Sequence, residues 1–278
     1  MANAAANGIR IEYETTGNPS DRPLLLISGL AGQLIGWDEE LCKSLAEKGH
    51  YVIRFDNRDA GLSTHPDVPY TVEDMAADVV GLLDALGIPA AHLCGASMGG
   101  MIAQTLAIRY PARVLTLTAV YSTTGSRDIP PPSPDILELL LTPAPRDREG
   151  FIEYMVTLNR AMAGKGFPFD EAWTRWISGR AYDRSFSPDG TARQLRAVRE
   201  QTDRTNALAS VRAPTLVIQG TDDPLVPMEA AVHLSRAIKG ARLMKIEGMG
   251  HDQPHGGAWP DIVEAVSKHT ERAERAQE

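Results

Sequence analysis

Short apolar runs and amphipathic stretches take turns through most of this chain. The runs Pro23–Ser28, Tyr51–Phe55, Ala91–Cys94, Val114–Val120, Thr215–Gln219 and Arg242–Ile246 have the length and continuous apolar character of strands buried on both faces. Between most of them the apolar positions fall at helical spacing. The clearest case is Val72–Leu86, where Val72, Met75, Val79, Leu82, Leu83 and Leu86 share one face. Thr71 with Asp74 supplies a capping-box-like start, and Gly87 supplies a stop. Strands alternating with helices predict a parallel sheet with helices on both faces. An initial segment, Gly8–Glu14, is expected to pair antiparallel with the strand at Pro23 along the sheet edge.

The alternation lapses between about Ser122 and Leu208. There the chain runs through a proline cluster, Ile129–Asp135, and then through helical patterns over Glu149–Ala163, Asp170–Ser185 and Thr191–Asp203. The strand pattern resumes directly after Ala213-Pro214. The expected organisation is an α/β core of residues 1–121 and 208–278 with a helical lid, residues 122–207, inserted between two of its strands. An independent helical domain is the alternative; the small size of the insertion, flanked by strands of one sheet, favours the lid. The charged tail Lys268–Glu278 is expected to be a frayed helix end.

Composition narrows the function classes. A chain of 278 residues can bury a large core as one domain with an insertion. The net charge of -8 argues against a nucleic-acid partner, which calls for a basic face. No apolar run approaches the ~20 residues that span a bilayer, and the N-terminus lacks the basic and apolar regions of a secretory signal. Cys42 and Cys94, the two cysteines, fall in no metal-ligand spacing and read as small buried hydrophobes of a reducing compartment. The expected location is cytoplasmic.

The segment with most chemistry is Ala91–Ile102, which contains Gly95-x-Ser97-x-Gly99 directly after a strand and directly before a helix. A residue at so sharp a strand-to-helix turn is held in strained backbone geometry, and flanking glycines remove the Cβ atoms that would clash. The serine hydroxyl then stands at the carboxyl end of the sheet, where open α/β sheets place ligands. The following helix N-terminus favours developing negative charge. Ser97 is therefore the candidate nucleophile.

A serine nucleophile needs a general base, and the base needs an acid to orient it. Among the seven histidines, His251 ends a glycine-bearing loop after the last strand, and His255 is the runner-up. His50, His65, His92, His233 and His269 read as surface or packing groups. The strand Thr215–Gln219 is followed by Asp222 and Asp223; the spacing Gly-x-x-Asp-x-x-x-Pro over Gly220–Pro227 selects Asp223 as the acid. The stretch after Val114–Val120 offers no carboxylate. Acyl transfer also needs N–H donors for the oxyanion. One is Met98, immediately after Ser97, and the other belongs to the loop Ser28–Gly32.

These motifs resemble the α/β-hydrolase superfamily across nearly the whole chain. The stretch SGLAGQLIGW resembles its oxyanion loop, with Ser28 where histidine is usual, and Asp56–Ser63 resembles its D-x-R-G-x-G-x-S turn, with Asp59 and Ala60 departing. The G-x-S-M-G, VIQGTDDPLVP and IEGMGH stretches are most similar to aclacinomycin methylesterase-like and cofactor-free haloperoxidase-like esterases. The resemblance implies an eight-stranded, mostly parallel sheet, the N–H of Leu30 as second oxyanion donor, and no metal or organic cofactor. It sets aside dehalogenases and epoxide hydrolases, which carry aspartate at the position of Ser97, and dienelactone hydrolases, which carry cysteine.

The expected function is hydrolysis of carboxylic esters through an acyl-enzyme, with a small-molecule ester as substrate. The same residues acting on a lactone, an amide or a carbon–carbon bond, or making a peracid, form the alternative; a non-catalytic ligand binder of the same fold is a third reading. Trp173, Trp176, Met155 and Met162 are candidate linings of an apolar substrate pocket, although such side chains at helical spacing also serve as plain core.

Overall fold

The computed structural model describes residues 2–252 and 257–276. The chain begins β1 (Ala2–Ala6), β2 (Ile9–Thr16), β3 (Arg22–Ile27), α1 (Glu39–Glu47), β4 (His50–Phe55), α2 (Val72–Ala85), β5 (Ala91–Ala96), α3 (Met98–Arg109) and β6 (Val114–Val120). It continues α4 (Pro134–Leu141), α5 (Arg148–Met162), α6 (Glu171–Arg184), α7 (Pro188–Glu200) and α8 (Thr205–Leu208). It ends β7 (Thr215–Gly220), α9 (Met228–Ala237), β8 (Arg242–Ile246) and α10 (Trp259–Arg275). The strands form one eight-stranded sheet in the order β1-β2-β4-β3-β5-β6-β7-β8, parallel from β4 to β8.

The alternation of side chains along the central strands builds two apolar layers. Leu25 and Ile27 of β3 face the layer that holds Val72, Met75, Val79 and Leu82 of α2. Leu24 and Leu26 face the other, with Leu41 of α1 and Ile262 and Val266 of α10. Helices on both faces explain why these strands are apolar throughout. The start of α2 is a true capping box: Asp74 N–H donates to Thr71 Oγ1 at 3.2 Å, and Thr71 N–H donates to Asp74 Oδ2 at 2.8 Å. Gly87 follows at φ +69°, the left-handed stop.

Two expectations need correction, and one strand was not expected. β2 does not pair with β3; it lies antiparallel between β1 and β4, because the chain crosses over before β3 enters the sheet. β1 itself is alanine-rich and carries no apolar alternation that would have announced a strand. The tail from Lys268 is not a frayed end as far as Arg275: it continues α10, with His269, Thr270 and Ala273 buried. The helices α4 to α8 all fall between β6 and β7, and α4 starts inside the proline cluster, with Pro134 in its first turn. Among the described residues no helix is long and apolar enough to cross a membrane.

Candidate active site

The turn at Ser97 follows from what surrounds it. Ser97 sits at φ 54° and ψ -118°, a conformation that non-glycine residues rarely adopt. The strain is held by close contacts on each side. A Cβ on Gly95 would lie 2.2 Å from Gly99 O, and one on Gly99 would lie 2.0 Å from Ile27 O. Both positions must be glycine for β5 to turn into α3 against β3.

His251 approaches from the loop after β8. Its Nε2 lies 3.0 Å from Ser97 Oγ, and its Nδ1 lies 2.8 Å from Asp223 Oδ2. A carboxylate accepts and does not donate, so Nδ1 carries the proton and Nε2 is left to accept the serine hydroxyl. Asp223 Oδ1 accepts the N–H groups of Leu225 at 2.9 Å and Val226 at 2.8 Å, and Oδ2 also accepts Gln219 Nε2 at 3.0 Å. These donors fix the orientation of the carboxylate. Asp222, the competing carboxylate, instead accepts Lys165 N–H at 3.1 Å, on the segment after α5. His255 lies outside the described residues. His50, His92 and His269 are buried packing groups, while His65 and His233 hydrogen-bond near Ser187 and Thr124.

The glycines of the His251 loop have the same kind of explanation. A Cβ on Gly250 would lie 2.1 Å from Met162 O, and Gly248, at φ +71°, packs against Gly166. His251 N–H donates to Met162 O at 2.9 Å, and Gly166 N–H donates to Gly248 O at 2.9 Å. The chain leaving α5 therefore clasps the loop that carries the imidazole.

Leu30 and Met98 line the same cavity as Ser97. Met98 opens α3, so its N–H is one of the helix donors without an intrahelical partner. Gly29 brings the other loop close: a Cβ there would lie 3.3 Å from Ser97 Cβ. Ala31 N–H donates to Gln194 Oε1 at 2.8 Å and Gly32 N–H to Gly29 O at 3.1 Å, which holds this loop in shape.

Above Ser97 opens a cavity of about 870 Å³, walled largely by apolar side chains of the helical segment. Trp173, Met155 and Met162 line it. Trp176 does not. The face of α6 turned to the cavity carries Trp173, Ile177 and Ala181, while Trp176 is 53% exposed with the Arg180 guanidinium 4.8 Å over its ring.

Several site residues had no separate signal in the sequence. The Tyr121 ring packs 4.6 Å from the imidazole of His251, from a strand end at φ +37°. Asp252 also faces the cavity, and burial raises its carboxyl to about 6. Asp59, at φ +66° in the turn that departs from the usual pattern, takes two hydrogen bonds from Arg193 at 2.9 and 2.7 Å. Asp56 pairs with Arg184 at 2.7 Å, and burial raises its carboxyl despite that partner. Gln33 Nε2 donates to Ala181 O and Ser185 O, and Gln194 Nε2 donates to Arg58 O. Together these contacts seat α6 and α7 on the core. Among the described residues no group of three or more His, Cys, Asp or Glu is placed to hold a metal ion.

Comparison with known proteins agrees with this architecture. The α/β hydrolase fold family matches over residues 22–257. The chain is similar to the rhodomycin D methylesterase DauP of a Streptomyces species, 35% identical over 94% of both chains. Among solved structures it is similar to an enol-lactonase from Burkholderia xenovorans, with TM-score 0.77 and 23% identity over 99% of this chain and 100% of that one. BpoC of Mycobacterium tuberculosis, assigned as a non-heme bromoperoxidase, has TM-score 0.76 and 22% identity over 95% of this chain and 96% of that one. The chain belongs to the α/β hydrolase fold family.

Proposed function

We propose that this protein is a serine esterase that cleaves a methyl or other small alkyl ester of a bulky apolar acid. The observation that carries the reading is the unbroken contact from Asp223 through His251 to Ser97 at the floor of the large cavity. The methylesterase relative, similar over nearly its whole length, supports the small alcohol. The apolar walls contributed by Leu158, Ile177, Leu195, Met155 and Trp173 suit a bulky acyl group. In this reading residues 122–207 act as a cap that excludes water.

The steps follow from the geometry. As Ser97 Oγ attacks the carbonyl carbon, its proton passes to His251 Nε2, and Asp223 stabilises the imidazolium. The N–H groups of Leu30 and Met98 receive the oxyanion. The carbon–oxygen bond to the alcohol breaks, and His251 returns the proton to the leaving oxygen. Water then repeats the sequence on the acyl-enzyme and frees the acid and Ser97.

The test is turnover of p-nitrophenyl and methyl esters together with labelling by a fluorophosphonate. Ser97→Ala is expected to lower kcat by at least about 10⁴-fold and to lose the label, and Asp223→Asn to lower kcat by about 10⁴-fold. Undiminished turnover by Ser97→Ala would refute the mechanism. Activity confined to lactones in a mixed panel would refute the ester assignment.

A further inference from the structure

Behind Ser97 runs a line of buried polar groups, Ser122, Gln104 and Arg204, that do not line the cavity and that the proposed steps do not use. Ser122 and Gln104 are fully buried, and Arg204 is 6% exposed. Arg204 donates through Nε to Gln104 Oε1 at 3.3 Å, through Nη2 to Thr123 O at 2.8 Å, and through Nη1 to Gln201 Oε1. Gln104 Nε2 then donates to Ser122 Oγ at 3.3 Å, and Ser122 Oγ donates to the main-chain oxygen of Ser97 at 2.8 Å.

The direction of every bond in this line follows from one property: a guanidinium has no acceptor. Gln104 must turn its oxygen to Arg204 and therefore its amino group to Ser122. The Ser122 oxygen is occupied as an acceptor, so its single proton goes to Ser97 O. That oxygen already receives Gly100 N–H at 2.9 Å and Met101 N–H at 3.2 Å. Gly100 leaves the room for the contact, since a Cβ there would lie 2.6 Å from Ser122 Oγ.

The Ser97 carbonyl and the Met98 N–H belong to one peptide group. Donors on the carbonyl draw electron density through the amide and make its N–H a stronger donor, as in any chain of cooperative hydrogen bonds. The hydrogen-bond acceptors of Arg204 are neutral oxygens, and desolvation holds the group down to about 10 against the attraction of the Glu73 and Asp203 carboxylates.

We propose that Arg204, acting through Gln104 and Ser122, is a positioning residue that polarises the Ser97–Met98 peptide and strengthens the Met98 N–H toward the developing oxyanion. This rests on the esterase reading above. It adds a source of transition-state stabilisation that lies outside the substrate cavity.

The deciding variant is Gln104→Glu. It keeps size and gives Arg204 a better partner, but a carboxylate accepts from Ser122 and draws that hydroxyl proton away from Ser97 O. Expected are a kcat lower by about three- to tenfold, a fraction of the ~10²–10³ that losing an oxyanion donor costs. KM should stay within twofold, fluorophosphonate labelling should slow by the same factor as kcat, and Tm should not fall. Ser122→Ala should lose a similar factor in kcat, and the double variant little more, because both cut the same line. The relay is overturned if Gln104→Glu keeps kcat within twofold of the parent, if KM carries the loss, or if the two losses multiply. Should Gln104→Glu fail to fold, Ser122→Ala decides by the same kcat criterion. A parent without Ser97-dependent turnover refutes the esterase reading, whereas Ser97-dependent turnover indifferent to Gln104→Glu refutes the relay alone.

Discussion

Strand β3, whose residues do not reach the cavity, and helix α7, which lines it, are held in contrasting ways. Leu24, Leu25, Leu26 and Ile27 of β3 are fully buried, and their contacts are aliphatic on both faces of the sheet. Helix α7 touches the apolar layer only through Ala197 and Val198 at its end, and hydrogen bonds fix the rest of it to the core: Gln194 to Ala31 and Arg58, Arg193 to Asp59. Aliphatic burial is strong and tolerates small shifts. Hydrogen-bonded pairs contribute less net free energy but define a position to within a fraction of an ångström. One region supplies stability; the other supplies registry over Ser97.

The comparison is broken most severely in the core. Leu25→Ala is expected to cost about 2–5 kcal/mol in urea unfolding while KM of the folded protein stays unchanged. A raised KM would mean that the core also sets the cavity. The seam should behave in the reverse sense. Arg193→Met leaves the buried Asp59 carboxylate without its bidentate partner and is expected to cost about 1–3 kcal/mol, with KM raised several-fold. Hydrogen exchange should quicken in α6 and α7 and not in β3.

The smallest effect comes from pH. Burial lowers His50 and His269 and takes His92 down to about 3. A histidine with a depressed folded pKa contributes stability that is complete above its unfolded pKa of about 6.5 and is lost as pH falls below it, because the unfolded chain then binds the extra proton. Between pH 7.5 and 6 the Asp252 carboxyl, raised to about 6, becomes half protonated in the folded state and offsets a few tenths of a kcal/mol of the histidine loss, so stability should fall by at most about 2 kcal/mol. A urea midpoint that rises over that interval would contradict it. His92→Gln should flatten the slope.

What could be read from the sequence was local. The turn at Ser97 was legible because two glycines, a strand and a helix are contiguous with it, and α2 because its stripe, cap and stop fall within one short stretch. The loop bearing His251 was legible because it follows the last strand directly. The pairing of β2 was not, since adjacency in a sheet is decided by where later strands insert. Nor was the seam: Arg193 and Asp59 are 134 positions apart, and each alone looks like an ordinary surface charge. Trp176 misled because hydrophobicity does not tell which face of a helix an aromatic ring occupies.

The clasp between residues 162–166 and 248–251 has a consequence for redesign. Gly164, Gly166, Gly248 and Gly250 meet backbone to backbone, each with no room for a methyl group. The helical segment is thus no interchangeable attachment. A substitute grafted between β6 and β7 would have to bring its own pair of side-chain-free positions to this crossing, or push the imidazole out of line before any reactant arrived.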